Sequence, residues 1–282
     1  MRIISFCVFA LIGLSNSALA VADGALDLQT RYGHHHTTII VKEDGTAVEA
    51  REWSMTVLKE AAVESSKRTS VGYSTSAQKI EIVAAYTKKA DGRRIDVPKN
   101  NYQIEVNQGK GKDSPVYSDR TTLTAVFPDV TVGDTVVFSY RLAQTEPLFP
   151  GHFSVFQVFP KLIAYDDVRV RIDYPASMWA QYEARGMREE EKAEKDGRKV
   201  VAWRYSNPQP QKSLRRNYSV YDPDKEVGFA FSTFKTYADI ATAYGARALP
   251  KAAVTERIQR LAAEIAKDKV SQADQARALY EW

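Results

Sequence analysis

The sequence predicts a mainly β protein: an antiparallel β-sandwich, as one unit or as two packed sub-sandwiches, followed by a short C-terminal helical extension. Between about residues 30 and 235, many short runs alternate apolar and polar residues at period two, which is typical of half-buried strands. Asp-Gly pairs separate several of these runs and indicate hairpins. After Phe234, alanine becomes frequent and the alternation stops, which indicates helices.

Three Asp-Gly pairs, at 44–45, 91–92 and 196–197, each lie between two strand-like runs. We expect type I′ turns at these pairs, because that turn requires positive φ at both central residues. The third pair lies in a highly charged stretch, which predicts a solvated sheet edge that resists aggregation. The predicted hairpin strands are residues 37–41 with 47–58, 79–87 with 94–106, and 189–195 with 200–205.

Four further strands and one short helix complete the predicted sandwich. The helix is expected within residues 59–70, where Ala61, Ala62 and Val63 stand among charged residues. The stretch from Asn207 to Asp224 contains several prolines and is predicted to be an extended connection. The further strands are residues 121–126, 136–142, 153–158 and 168–174.

Three helices are predicted after the strands, over residues 236–246, 251–267 and 272–282. Ser271 and Asp274 form a capping-box-like start for the third. That helix has no stop signal, so the apolar side chains of its last turn lack a following element to pack on. In the second helix, one face carries Val254, Ile258, Leu261 and Ile265, at i, i+4, i+7 and i+11.

The N-terminus predicts export from the cytoplasm. Arg2 supplies a basic region, an apolar stretch follows over residues 3–14, and small residues permit cleavage after Ala20 or Ala22. The stretch is short of the roughly 20 residues that span a bilayer, so a cleaved signal peptide is favoured over an uncleaved membrane anchor. No second apolar run follows. We therefore expect a periplasmic or secreted protein without a transmembrane segment after cleavage.

Composition limits the chemistry of the mature chain. Cys7 is the only cysteine and lies within the signal peptide, which excludes disulfides, thiolate metal sites and a cysteine nucleophile after cleavage. Removing Arg2 leaves 38 of the 39 lysines and arginines against 35 acidic residues, a mild positive charge. No basic patch interleaves with the aromatic residues, so no nucleic-acid partner is expected.

The histidine run at residues 34–36 is not predicted to hold a metal. Adjacent side chains on a strand point to opposite faces, so at most His34 and His36 share a side. A structural zinc site usually has four ligands, and His152 is the only other histidine.

Other candidate clusters favour ordinary surface roles. Carboxylates at 166–167 and 189–191 are predicted to lie in a solvated turn and a solvated edge rather than in a glycosidase site. No Gly-x-Ser-x-Gly elbow is present, and the glycines at 109–111 and 133 indicate turns, not phosphate loops. We therefore predict no catalytic, cofactor-binding or metal-binding residue. A small basic cluster, predicted to be solvated, consists of Lys212, Arg215 and Arg216.

The order of several short motifs resembles the bacterial domain of unknown function that precedes transglutaminase-like domains in exported proteins. The segment 231–240 is similar to that family's link into its second domain, although Tyr237 stands where tryptophan is expected. The motifs are Asp91-Gly92 with Val97-Pro98, Tyr117-Ser118-Asp119-Arg120, Phe127-Pro128-Asp129-Val130 with Gly133-Asp134, and Glu146-Pro147 with Gly151-His152-Phe153.

The resemblance implies a signal peptide over residues 1–22, a β-sandwich domain over 23–235, and a helical linker with the first transglutaminase-like helices over 236–282. It also implies that the catalytic Cys, His and Asp of that family lie beyond Trp282. The chain is therefore expected to be a non-catalytic binding or scaffolding module.

The sequence leaves the partner of this module open. Protein, peptidoglycan and surface polysaccharide are all compatible with it, and no pattern indicates an oligomeric state. Two alternatives remain: a fragment of a transglutaminase-like peptidase or amide-transferring enzyme, and an independent carbohydrate-active lyase or hydrolase.

Overall fold

Fourteen strands and four α-helices make up the part of the chain that the computed structural model describes, residues 26–106, 119–210 and 222–282. The strands are β1 (Thr30–Val41), β2 (Ala47–Val57), β3 (Arg68–Ser74), β4 (Gln78–Lys88), β5 (Arg94–Asp96), β6 (Tyr102–Val106), β7 (Arg120–Val126), β8 (Thr135–Gln144), β9 (Ser154–Phe159), β10 (Ala164–Pro175), β11 (Gln181–Arg185), β12 (Arg188–Lys195), β13 (Arg198–Asn207) and β14 (Val227–Ser232). The helices are α1 (Val63–Ser66), α2 (Tyr237–Ala248), α3 (Glu256–Ala266) and α4 (Gln272–Glu281).

One large sheet serves both halves of the sandwich. It has eight strands in the order β12-β13-β10-β1-β2-β8-β4-β5. Two three-stranded sheets, β11-β14-β9 and β3-β7-β6, accompany it. Strands β1 and β10 pair in parallel, while the other strand pairs are antiparallel. The predicted mainly β sandwich is confirmed, and the two sub-sandwiches share a single sheet.

Two apolar clusters form the cores. The first lies between β1, β10 and β13 of the large sheet and the β9 and β14 strands of one small sheet. The second lies between β2, β8 and β4 and strand β7 of the other. Strand β10 shows how period two builds a core, since Val168, Val170 and Ile172 are fully buried while the intervening residues are less buried. Burying one such side chain stabilises the fold by about 1.5–3 kcal/mol.

The three Asp-Gly hairpins are confirmed, but the predicted turn type is wrong at two of them. Both residues of Asp196-Gly197 have positive φ, as type I′ requires. At Gly45 and Gly92 only the glycine does. These two loops are one residue longer than a type I′ hairpin loop. In the first, Gly45 N donates to Lys42 O at 3.1 Å and Lys42 N donates to Thr46 O at 2.8 Å. The glycine therefore closes a type I turn that is followed by a bulge.

Four local expectations need correction. The helix within 59–70 ends early, because Arg68 already begins β3. The predicted strand over 94–106 divides into β5 and β6, which lie in different sheets, after a 3₁₀ turn over Lys99–Asn101 that follows Pro98. Strands β3 and β11 were not predicted. Nor was β14, because its alternation is between large and small residues rather than apolar and polar ones.

The three predicted C-terminal helices are confirmed as α2, α3 and α4, but α3 begins at Glu256 rather than at residue 251, so Val254 lies outside it. Ser271 caps α4 by accepting from Asp274 N at 3.1 Å. None of the three helices contains a buried residue. In the described ranges, no helix combines the length and the apolar character needed to cross a membrane.

Candidate ligand site at the junction of the sandwich and helix α2

The loop between β8 and β9 is fixed to the β1–β2 turn. Gly151 N donates a hydrogen bond to Asp44 O at 2.8 Å. Gly45 has a φ of +88°, and a Cβ placed there would lie 2.6 Å from the carbonyl oxygen of His152. Only glycine allows this approach, so the first hairpin turn determines the position of His152.

The end of β14 holds His152 from the other side. The imidazole ring of His152 stacks on the ring of Phe234, with centroids 4.1 Å apart and an interplanar angle of 13°. Thr233 Oγ1 accepts from Phe153 N at 2.8 Å and lies 3.5 Å from His152 Nδ1. Thr233 and Phe234 are both buried, so the imidazole rests on a rigid base.

Helix α2 is anchored near both of its ends. At its start, Thr236 accepts from Asp239 N at 3.2 Å while the Asp239 carboxylate accepts from Thr236 N at 2.9 Å, which is a capping box. Near its end, Arg247 Nη1 donates to the carbonyl oxygens of Pro147 at 2.8 Å and Leu148 at 2.6 Å. The helix is therefore tied to the same loop that carries His152.

These contacts border an open cavity of about 620 Å³, which we call the junction cleft. Its volume falls in the range of ligand pockets, about 300–1,000 Å³. Helix α2 lines it with small residues, and two cations stand at its wall. The lining residues are Pro150, His152, Thr233, Lys235, Asp239, Thr242, Ala243, Ala246 and Arg247.

A second cavity of about 240 Å³, which we call the apolar pocket, also has His152 in its wall. Phe149 and Phe234 meet edge to face there, with ring centroids 5.6 Å apart. Consecutive α2 residues divide between the cavities, since Asp239 lines the cleft and Ile240 lines the pocket. The apolar side chains of the pocket are Leu148, Phe149, Phe153, Phe234 and Ile240.

The histidine run lies on β1, away from this junction. His34 and His36 share one face with ring centroids 5.2 Å apart, as predicted, while His35 packs against Phe159 at 5.5 Å. Burial lowers the pKa of His35 to about 3. Across residues 26–106, 119–210 and 222–282, no group of three or more His, Cys, Asp or Glu is arranged to hold a metal ion. That this protein binds no metal stays a prediction.

The acidic candidates are engaged in ion pairs. Asp166 accepts from Arg31 Nε at 2.8 Å. Asp167 lies 2.8 Å from His36 Nε2 and 2.8 Å from Arg204 Nε. Both residues belong to β10, at the irregularity between Tyr165 and Val168, so their predicted turn location is wrong. Burial raises the pKa of Asp167, but hydrogen bonds from His36 and Arg169 outweigh it and hold that pKa below its usual value.

The run at 189–191 lies on β12, the outermost strand of the large sheet, as the predicted solvated edge requires. Glu191 Oε2 lies 3.4 Å from Arg171 Nε. Several other sequence candidates lie outside the described residues: the signal peptide with Cys7, the glycines at 109–111, Tyr117-Ser118, and the basic cluster of Lys212, Arg215 and Arg216.

The motifs that carry the family resemblance act as structural joints. Asp134 is buried and accepts from Lys89 Nζ at 2.6 Å, Ala90 N at 3.1 Å and Thr131 N at 2.8 Å, which ties two turns together. Hydrogen bonds from Ser74 and Ser76 lower the pKa of Asp119 to about 2 and fix the turn between β3 and β4.

Sequence reasoning missed Lys235 and Arg247 as site residues. Their only signal was their placement on either side of the first predicted helix.

Comparison with known proteins supports the fold. A family model described as "Domain of Unknown Function with solved-structure structure (DUF3857)" matches residues 43–212. The crystal structure of a putative protease from Parabacteroides distasonis has a TM-score of 0.74 and 16% identity, over 90% of this chain and 49% of that one. At that identity the likeness shows the fold alone. This chain spans about half the length of that protein.

Two further comparisons add little. An M1 zinc metallopeptidase from Deinococcus radiodurans has a TM-score of 0.36 and 11% identity, over 74% of this chain and 43% of that one, a likeness too weak to compare folds. No curated protein sequence matches the chain.

Proposed function

Because the chain belongs to the DUF3857 family of domains of unknown function, we propose that it is a non-catalytic, exported binding or scaffolding module of a transglutaminase-like protein. In this proposal the sandwich binds a ligand or partner, and helices α3 and α4 attach it to a catalytic domain. The sandwich then binds the ligand and the helices provide the attachment. This division agrees with their packing, because the sandwich contains the buried cores and the helices contain no buried residue.

The exposed apolar surface of the last two helices carries this proposal. Ile258 in α3 is 52% exposed, and Leu279 and Tyr280 in α4 are 44% and 92% exposed. A short amphipathic helix is marginal in water and gains most of its stability when its apolar face is covered. We infer that another domain covers these faces. This chain covers 49% of the Parabacteroides distasonis protein, so the rest of that protein is long enough to contain such a domain.

The cysteine count supports a non-catalytic role. A transglutaminase-like core of the papain kind uses a thiolate nucleophile. Cys7 is the only cysteine in this sequence and lies in the predicted signal peptide. The purified mature chain should therefore neither cleave casein nor cross-link a glutamine donor to an amine. Amide cleavage or cross-linking that persists after thiol alkylation would contradict the proposal.

Limited proteolysis tests the attachment role of the helices. We expect trypsin to cut first within residues 251–282, where Lys and Arg side chains are exposed, and to leave the sandwich intact. Equal resistance of both parts would contradict the proposal, since it would mean that α3 and α4 already dock on the sandwich.

A second candidate function is a complete transglutaminase-like enzyme of which this chain is one part. The half-length match to a protein described as a protease favours it. The test is to sequence the gene beyond the codon for Trp282. An open frame with a Cys, then a His, then an Asp supports the enzyme, and an immediate stop codon contradicts it.

Export is also a proposal and has a direct test. N-terminal sequencing of the protein recovered from the periplasm or medium should begin at Val21 or Asp23. An intact Met1 in a membrane fraction would instead support an uncleaved anchor.

A further inference from the structure

The junction cleft has an excess of positive charge. Lys235 and Arg247 line it, and of the described residues in its wall only Asp239 is acidic. The Asp239 carboxylate already accepts the hydrogen bond from Thr236 N that caps α2. Within the ranges the structure describes, neither cation has an acidic partner, and Arg247 uses only Nη1, for two carbonyl oxygens. The remaining guanidinium donors suit an anionic oxygen.

The apolar pocket next to the cleft selects a different chemical group. Three phenylalanines with Leu148 and Ile240 form most of its wall. Its volume of about 240 Å³ exceeds the roughly 150 Å³ of an apolar cavity that takes up benzene. Such a pocket accommodates one large aliphatic or aromatic side chain. His152 belongs to the walls of both cavities, so the cleft and the pocket adjoin each other.

We propose that this junction binds the C-terminal end of a peptide. Lys235 and Arg247 hold the free carboxylate, and the last side chain of the peptide, which is apolar, occupies the apolar pocket. A free carboxylate beside an apolar group on the same short unit is the chemistry of a peptide C-terminus, and capture of that carboxylate by fixed donors is a common recognition mode. The proposal deepens the proposed binding function and rests on it.

The site is rigid on the side of the sandwich. Gly45 admits the His152 loop, Phe234 supports the imidazole, and Arg247 ties α2 to the same loop. Preorganised donors lose little conformational entropy on binding, so a small ligand is sufficient for measurable affinity.

Calorimetric titration of the mature chain tests the proposal. The probe is the peptide acetyl-Gly-Gly-Leu with a free carboxylate, and its comparison is the same peptide with a C-terminal amide. We expect the acid to bind and the amide to bind at least about tenfold more weakly, because a hydrogen bond to a charged group is lost. Acetyl-Gly-Gly-Asp, which is acidic but lacks the apolar side chain, should also bind more weakly. Equal affinity for acid and amide would overturn the proposal.

Two variants with the same charge change make the test specific. Lys235→Glu should weaken binding of the acid peptide at least about tenfold. Lys88→Glu, on an exposed side chain of β4 in the other half of the sandwich, should leave the affinity within about twofold. Equal losses in both variants would overturn the assignment of the site, as would preferential binding of oligogalacturonate in place of the peptide. Failure of peptide binding leaves the docking role of α3 and α4 intact, because proteolysis measures that role separately.

Discussion

The strands of the sandwich and the helices of the C-terminal extension were both predicted from local apolar patterns, but the two regions differ in what covers their apolar side chains. Every buried apolar residue of the described chain lies at or before Phe234. Helices α2, α3 and α4 each begin at a capping side chain, yet none of them contains a fully buried residue. Local patterns thus suffice to form helices, whereas packing needs a partner surface.

The largest expected change in stability comes from creating a cavity in the core of the sandwich. Phe229 is fully buried beneath the large sheet. We expect Phe229→Ala to lower the free energy of unfolding by about 3–5 kcal/mol. The matched truncation Ile258→Ala on α3 should change it by less than about 0.5 kcal/mol, since Ile258 is 52% exposed. Urea unfolding followed by tryptophan fluorescence measures both. Similar losses would contradict the comparison.

Loss of the Asp134 joint should have a somewhat smaller effect. Its side chain is 1% exposed and that of Lys89 is 13% exposed. Asp134→Ala leaves the ammonium uncompensated and the amides of Ala90 and Thr131 without acceptors, so we expect a loss of about 3 kcal/mol. As a control, Glu64→Gln removes a carboxylate that is 83% exposed and should leave the urea midpoint unchanged. A stable Asp134→Ala variant would show that the motif is not a structural joint.

Acid should weaken the sandwich through His35. Burial lowers the pKa of His35 to about 3 in the folded state, against about 6.5 in the unfolded chain. The unfolded state therefore binds a proton first, and stability falls as the pH drops from about 6.5 toward 3. We expect a loss on the order of 2 kcal/mol between pH 7 and pH 5. His35→Gln should reduce this dependence, and an unchanged pH profile in the variant would contradict the assignment.

The smallest predicted effect is local to α2. Thr236→Ala removes the capping oxygen of that helix and should destabilise it by about 1 kcal/mol. Amide exchange should quicken in residues 237–241 while exchange in β10 stays the same. Because α2 buries no residue, the global unfolding midpoint should not move. A shift in that midpoint would mean that α2 is part of the sandwich's cooperative unit.

Period-two alternation predicted the strands that face one core and one solvent layer, and β10 is the clearest case. Strand β14 was not predicted because Gly228 and Ala230 alternate with Val227 and Phe229, so Ser232 at its end is the one polar residue of its outer face. The parallel pairing of β1 with β10 could not be predicted from local sequence patterns either, because it joins Arg31 to Ala164, which are far apart in the sequence.

The candidate site was harder to predict than the fold. Arg247 reaches the junction through bonds to Pro147 and Leu148, residues 100 and 99 positions away. No local pattern encodes such contacts. Sequence reasoning did identify Gly151-His152-Phe153 and Asp44-Gly45 as separate signals. Their shared role, in which one turn positions the other, emerged only from the backbone approach at Gly45.

Hydrogen exchange measured by mass spectrometry on the mature chain tests most directly whether α3 and α4 lack their partner. We predict that amides of residues 256–281 exchange through openings of about 0–2 kcal/mol, while amides of β10 exchange only through global unfolding. Protection in α3 and α4 equal to that in β10 would contradict this account, because the helices would then already be packed.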